Sequence, residues 1–118
     1  KPLKAGDIVE HGNYVFAVSS IGKVAAAMTL TKVLEQYPID AIINIGLAGS
    51  LSPHLEFGDV VVVQHTVEHD GLIEGDDELT IEHPELKSGT LVTGDQFVAS
   101  GSTREALQAK GGQLVDME

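Results

Sequence analysis

The nine residues from Asp59 to Val67, Asp-Val-Val-Val-Val-Gln-His-Thr-Val, commit this chain more firmly than any other stretch. Consecutive β-branched side chains crowd a helix but fit a pleated surface, so this segment reads as a strand. Apolar residues at successive rather than alternate positions suit a strand covered on both faces, as in the parallel sheet of an α/β protein. The other segments arrange themselves around it. Tyr14 to Ser20 (Tyr-Val-Phe-Ala-Val-Ser-Ser) is a second near-continuous apolar run of β-formers. After Ile21-Gly22-Lys23 a helical pattern runs to about Tyr37. Val24, Ala27, Met28, Thr31 and Leu34 recur there at three- and four-residue spacing, while Lys32, Glu35 and Gln36 fall elsewhere. Alanines 25 to 27 let this helix lie close against a sheet, and Pro38 ends it.

Asp40 to Asn44 reads as another buried strand, leading into the glycine-rich turn Gly46-Leu47-Ala48-Gly49-Ser50. Gly89 to Thr93 gives a short strand, and Ser102 to Lys110 a short helix opened by a serine or threonine cap. Leu114-Val115 begins a fifth strand, reached through Gly111-Gly112. Strand, helix, strand over residues 14–44 predicts a right-handed crossover. The expected fold is therefore α/β, a three-layer arrangement of a mixed, largely parallel sheet flanked by helices. No internal repeat and no linker divides the chain.

Composition removes several function classes. The 118 residues carry 7 basic and 18 acidic side chains, a net charge of −11. A nucleic-acid backbone binder needs a clustered basic face, and so does a surface held to anionic lipids, so neither partner is expected. There is no cysteine, hence no disulfide framework and no thiolate metal site. No apolar run approaches the roughly 20 residues that span a bilayer, and the start is no secretory signal. A cytoplasmic location is the expectation. The chain opens on Lys1-Pro2 without an initiator methionine and stops on Met117-Glu118 straight out of an apolar run. Natural termini usually fray in polar sequence, so the chain is expected to be incomplete at both ends.

Eight acids and neither lysine nor arginine fall between Glu68 and Glu85: Glu68, Asp70, Glu74, Asp76, Asp77, Glu78, Glu82 and Glu85. Their spacing lacks the alternating ligands, central glycine and terminal glutamate of a calcium loop, so a solvated excursion is expected. His65 and His69 are four apart, but on a strand that spacing separates them by about 13 Å, too far to share one ion. No metal is expected, and no cofactor.

The turn Gly46-Leu47-Ala48-Gly49 follows a strand, where open α/β sheets bind ligands, yet it lacks the close glycine pair of a dinucleotide fingerprint. A bend that merely needs small residues explains it equally well. There is no G-x-S-x-G elbow and no lysine-bearing phosphate loop, and Arg104 is the only arginine. A site for free phosphate is disfavoured, because bidentate recognition of phosphate usually employs arginine. Phe97, just past a strand end in Thr93-Gly94-Asp95-Gln96-Phe97-Val98, is either core or a platform on which a base stacks. Asp116 and Glu118 flank Met117 at another strand end. Such carboxylates either cap a turn or accept hydrogen bonds from ligand hydroxyls, and one carboxylate can serve a vicinal diol.

Six of these pieces, in order along nearly the whole chain, resemble the purine nucleoside phosphorylase and uridine phosphorylase superfamily. They are residues 20–27 (Ser-Ile-Gly-Lys-Val-Ala-Ala-Ala), residues 40–50, Phe57-Gly58-Asp59-Val60-Val61-Val62, His69-Asp70, Thr93-Gly94-Asp95-Gln96-Phe97, and Val115-Asp116-Met117-Glu118. The likeness is greatest to the hydrolytic branch, the methylthioadenosine and S-adenosylhomocysteine nucleosidases. It implies a nucleoside phosphorylase-like fold in which residues 1–118 form the central part of a single domain. It implies hydrolysis of the N-glycosidic bond of an adenine nucleoside, a small-molecule substrate, by a homodimer. Phe97 would stack on adenine, and the backbone at Val98 would hydrogen-bond the base. Ala48 and Gly49 would line the floor of the purine and ribose site. Met117 would pack against the sugar, with Asp116 beside it, and Glu118 would bind the ribose hydroxyls. Ile21 would lie near the sugar and its 5′ substituent.

The departures from the family pattern carry equal weight. Leu47 stands where a hydroxyl residue is common, so a polar contact near the base is missing or replaced. The acidic segment between Asp70 and Gly89 is short, and in relatives that region helps build the dimer and the partner's 5′ pocket. The family's water-activating glutamate precedes, and its N7-protonating aspartate follows, the residues matched here. No catalytic residue is therefore assigned within this chain. A phosphorylase, a futalosine-type hydrolase and a truncated, non-catalytic adenine-nucleoside-binding domain are the alternatives.

Overall fold

A computed structural model describes residues 1–71, 76–78, 83–99 and 101–118. The chain forms two compact units, residues 1–45 together with Glu118, and residues 46–117.

In the first unit, β1 (Ile8–His11) and β2 (Tyr14–Ala17) make an antiparallel hairpin in the register Ile8↔Ala17 to His11↔Tyr14. Gly12 stands at the first central position of the two-residue turn with φ 59°, a sign that glycine alone accepts readily and that type II′ hairpins require. The sequence expectation of a strand at Tyr14–Ser20 holds for its first four residues, but not its burial on both faces. Tyr14 and Phe16 are 68 % and 50 % exposed, with ring centroids 6.3 Å apart on one side of the hairpin. Among the described residues β2 pairs with β1 alone, a partnership that apolar content cannot reveal. The partner strand β1 escaped the sequence reading, although Gly12-Asn13 between β-forming residues is a hairpin signal.

Helix α1 (Lys23–Gln36) follows as expected and ends at Tyr37, whose extended backbone (φ −129°, ψ 142°) is what Pro38 imposes on its predecessor. The period of the helix was legible; its phase was not. Val33 is buried, and Gly22, Ala26 and Thr29 lie on the same side, while Val24, Met28 and Leu34 stand exposed. The small residues at 25 and 26 let the helix approach β2, with which it packs. Residues 40–48 correct a second expectation. They form no strand, and Ile42, Ile43 and Ile45 are 54 %, 76 % and 88 % exposed. With no ladder partner along this stretch, the β propensity of Ala-Ile-Ile is not realised, and the expected crossover through a strand at 40–44 does not form.

The second unit is a five-stranded sheet in the order β3-β7-β6-β4-β5. Its strands are β3 (Gly49–Ser50), β4 (Val61–Glu68), β5 (Asp76–Glu78), β6 (Lys87–Thr93) and β7 (Leu114–Asp116). β4, β6 and β7 run parallel, and short antiparallel strands occupy both edges. The chain is thus mixed α/β with its sheet centre parallel. The acidic excursion is not wholly solvated loop, because β5 folds back onto the edge of β4. Glu74 and Glu82 lie outside the described residues.

Register explains the core. Val67, Val92 and Val115 stand side by side across the three parallel strands. On that face α2 (Ser102–Ala109) presents Leu107, and Leu51 joins Val92 and Leu107 in the buried cluster. Gly101, not a serine or threonine, occupies the cap position of α2, and no side chain caps it. Ser102 is already inside the helix, so the expected hydroxyl cap is one residue out of place.

The loop entering β4 is fastened by Asp59, whose carboxylate accepts from the Glu56 N–H at 2.8 Å and from Lys87 Nζ at 2.6 Å. The Lys87 hydrogen bond and then the Glu56 N–H hold Asp59 below its ordinary value of 3.8, against the opposing effect of desolvation. A depressed carboxylate contributes stability above its unfolded pKa and loses it as pH falls through the folded pKa. Lys87→Met should return the Asp59 titration toward the ordinary value, read by carboxyl carbon shifts in a pH series. An unmoved midpoint would show that the ammonium does not set it.

Candidate functional site

Three parallel strands ending side by side define one edge of the second unit. β4 exits through Glu68, His69 and Asp70; β6 through Thr93, Gly94 and Asp95; β7 through Asp116 and Met117. Because β3 runs antiparallel to β7, pairing Gly49 with Val115, its start lies at this same edge and Ala48 just before it. Phe97 and Val98 follow β6 by a few residues. The second unit therefore brings Ala48, Gly49, Phe97, Val98, Asp116 and Met117 to the carboxyl ends of its central strands, where open α/β sheets hold ligands.

The individual placements differ. Phe97 is 82 % exposed, so the core reading of this ring does not hold in the chain, whereas Val98 packs against the Leu51–Val92–Leu107 cluster. Gly49 sits close to Val115, where an added Cβ would meet Cγ1 at 3.1 Å. Leu47 is almost fully exposed within the irregular stretch before β3. Asp116 and Met117 are half-buried. Ile21 and Glu118 belong to the first unit, in which the Gly22 N–H donates to Glu118 Oε1 at 3.4 Å and Ile21 is exposed.

Sequence reasoning missed the residues that shape the edge. Thr93 lies in register between Glu68 and Asp116, on the face opposite Val92. Its Oγ1, and Nε2 of His69, are buried and make no hydrogen bond among the described residues. Buried polar atoms are almost always paired, so these two are capacity left for a ligand or water at the strand ends. The missed signal was the pairing of polar residues at consecutive strand exits. No lysine or arginine occurs in residues 65–71, 93–99 or 114–118, so the edge carries carboxylates and no counter-charge of its own. Among the described residues no group of three metal-ligating side chains comes together, and no helix is long and apolar enough to cross a membrane.

The family model of the phosphorylase superfamily matches residues 4–78. Among curated proteins, a 5′-methylthioadenosine/S-adenosylhomocysteine nucleosidase of Marinomonas sp. is 32 % identical over 135 residues, covering 92 % of this chain and 58 % of that protein. The nucleosidase of Thermotoga maritima is 31 % identical over 126 residues, covering 94 % and 58 %. Among solved structures, a Helicobacter pylori MTAN mutant with 5′-methylthioadenosine in its active site aligns with a TM-score of 0.78. It shares 25 % identity and is matched over 95 % of this chain and 65 % of that one. A Helicobacter pylori futalosine hydrolase mutant aligns equally well, at TM-score 0.78 and 25 % identity over 95 % and 68 %. The chain thus spans somewhat under three-fifths of the length of these curated relatives.

Proposed function

The chain belongs to the phosphorylase superfamily, and on that premise we propose that residues 1–118 carry the nucleoside-binding part of an N-ribosyl hydrolase, within a single domain. The bond cleaved is the N-glycosidic bond of an adenine nucleoside such as 5′-methylthioadenosine or S-adenosylhomocysteine, with release of adenine. The observation that carries the reading is the gathering of Ala48, Gly49, Phe97, Val98, Asp116 and Met117 at one edge of the second unit. Phe97 offers a face for the base, Val98 a backbone hydrogen bond, and the Ala48-Gly49 pair a side-chain-free floor. Asp116 and Met117 serve the sugar. From the resemblance alone, Ile21 is assigned to the 5′ substituent and Glu118 to the ribose hydroxyls.

Cleavage through an oxocarbenium-like state needs an acid for the departing base and a base for water, on opposite sides of the sugar. No residue of this chain is assigned to either task. Water rather than phosphate is the favoured nucleophile, because an incoming phosphate would meet carboxylates and neither lysine nor arginine among the strand-end residues. Futalosine is the second reading, supported by the equal structural match to a futalosine hydrolase. A cytoplasmic homodimer completes the proposal, supported by the resemblance to the nucleosidases.

The 118-residue chain should bind 5′-methylthioadenosine in preference to inosine and uridine by calorimetry. It should release no adenine on prolonged incubation, with or without phosphate. Failure to bind any adenine nucleoside overturns the reading of the site. Adenine release by this chain would show instead that it holds its own acid and base. Futalosine binding tighter than 5′-methylthioadenosine would favour the second reading.

A further inference from the structure

We infer that His69 and Asp70 are positioning residues that anchor the turn carrying Phe97 and so preset the ring that receives the base. The inference rests on the proposed nucleoside site. Its starting point is sheet register: β4 and β6 are parallel neighbours in which Glu68 pairs with Thr93, so both chains leave the sheet at the same level. Ordinarily the two exits would diverge. Here three consecutive residues, Thr93 at the end of β6 and Gly94 and Asp95 just after it, are each tied to a neighbour. The Thr93 carbonyl accepts from the His69 N–H at 2.9 Å, adding one rung to the ladder beyond the strands. The Gly94 N–H donates to the Asp116 carbonyl at 3.4 Å. The Asp95 N–H donates to Asp70 Oδ2 at 2.6 Å, the shortest of the three and the one to an ionised acceptor.

Close packing accompanies these bonds. Gly94 is buried, and a Cβ built on it would run into Nε2 of His69, with Cε1 of the imidazole at 2.6 Å and Cγ of Asp70 at 2.8 Å. The β4 exit therefore lies directly over the backbone of Gly94, and only a residue without a side chain permits that approach. His69 Nε2 makes no hydrogen bond among the described residues, so His69 acts here by the contact of its imidazole and through its backbone N–H.

The consequence falls on Phe97. Its ring is 82 % exposed and has little packing to hold it, so its place is set by the backbone on either side. Val98 is fixed on one side by the Leu51–Val92–Leu107 cluster. Asp95, two residues before the ring, is fixed on the other by Asp70. A ring held at both ends binds a base without first losing loop freedom, which is a saving in binding free energy that needs no contact between Asp70 and ligand.

The test compares the unsubstituted chain with Asp70→Ala and Asp70→Asn. Two quantities are read: hydrogen exchange of the Asp95 amide by NMR, and dissociation constants for free adenine and for 5′-methylthioadenosine. Asp70→Ala should speed exchange at Asp95 while leaving the amides of β6 and α2 protected. It should weaken both ligands about tenfold, in keeping with loss of one hydrogen bond to a charged group. Asp70→Asn keeps an acceptor oxygen and should recover most of the affinity, a rescue that a merely structural role would not give. Unchanged Asp95 exchange in Asp70→Ala overturns the anchor. So does an asparagine variant as weak as alanine. Absence of adenine binding in the unsubstituted chain overturns the nucleoside reading instead, and the exchange experiment still decides the anchor.

Discussion

Leu51→Ala should destabilise the second unit toward the upper end of the about 2–5 kcal/mol that buried leucine truncations cost. Leu51 is 1 % exposed and shares the core cluster with Val92 at 0 % and Leu107 at 4 %. The cost of such a cavity depends on how far the surroundings can collapse, and here both backbone groups of residue 51 are held. Its N–H donates to the Gln113 carbonyl at 2.9 Å, and its carbonyl accepts from the Gln108 side-chain amide. The backbone cannot sink into the void. The loss is also a large share of the roughly 5–15 kcal/mol on which a domain rests. Urea unfolding followed by circular dichroism measures it. Leu51→Met, which nearly conserves volume, should cost under about 1.5 kcal/mol. Leu47→Ala, four residues earlier and 97 % exposed, should stay within about 0.5 kcal/mol. Similar losses at Leu47 and Leu51 would contradict the assignment of the core.

What the sequence made legible follows from what periodicity encodes. The Val60–Val63 run, the helix ended by Pro38 and the strands ending at Thr93 and Asp116 are local matters of steric preference, and all appear where expected. The strand expected at Asp40–Asn44 failed because a strand exists only through its partner. The same apolar letters that would fill a sheet stand exposed when no ladder reaches them. The helix face failed for a related reason: Ala25, Ala26 and Thr29 are more covered than Val24, Met28 and Leu34, so apolar content alone did not choose the covered side. β5 carries no apolar residue and β1 only Ile8 and Val9, and register at an edge or in a hairpin put them in the sheets. At the strand ends, Gly49 and Gly94 mark two of the turns in the sequence. The bond from Asp95 to Asp70 was not legible, since residues 25 positions apart meet only through the parallel pairing of β4 with β6.

Phe97→Ala should weaken 5′-methylthioadenosine by the value of one base–aromatic stack, about 1–3 kcal/mol, or roughly 5- to 150-fold in dissociation constant. Sequence left two roles open for this ring, and they predict opposite results. A core phenylalanine truncated to alanine costs about 3–5 kcal/mol of stability. A ring that is 82 % exposed leaves no cavity, so the unfolding midpoint should not move while affinity falls. Val98 next to it provides the contrast: it packs on the Leu51 cluster, so Val98→Ala should lower stability, with affinity changing less. Phe97→Tyr keeps a π face of the same width and should bind within a few-fold of the unsubstituted chain, because stacking tolerates the added hydroxyl. A stability loss without an affinity loss at Phe97 would return the ring to a structural role. Undiminished affinity in Phe97→Ala would remove the base platform from this edge, leaving its carboxylates and the small Ala48-Gly49 pair suited to a sugar alone.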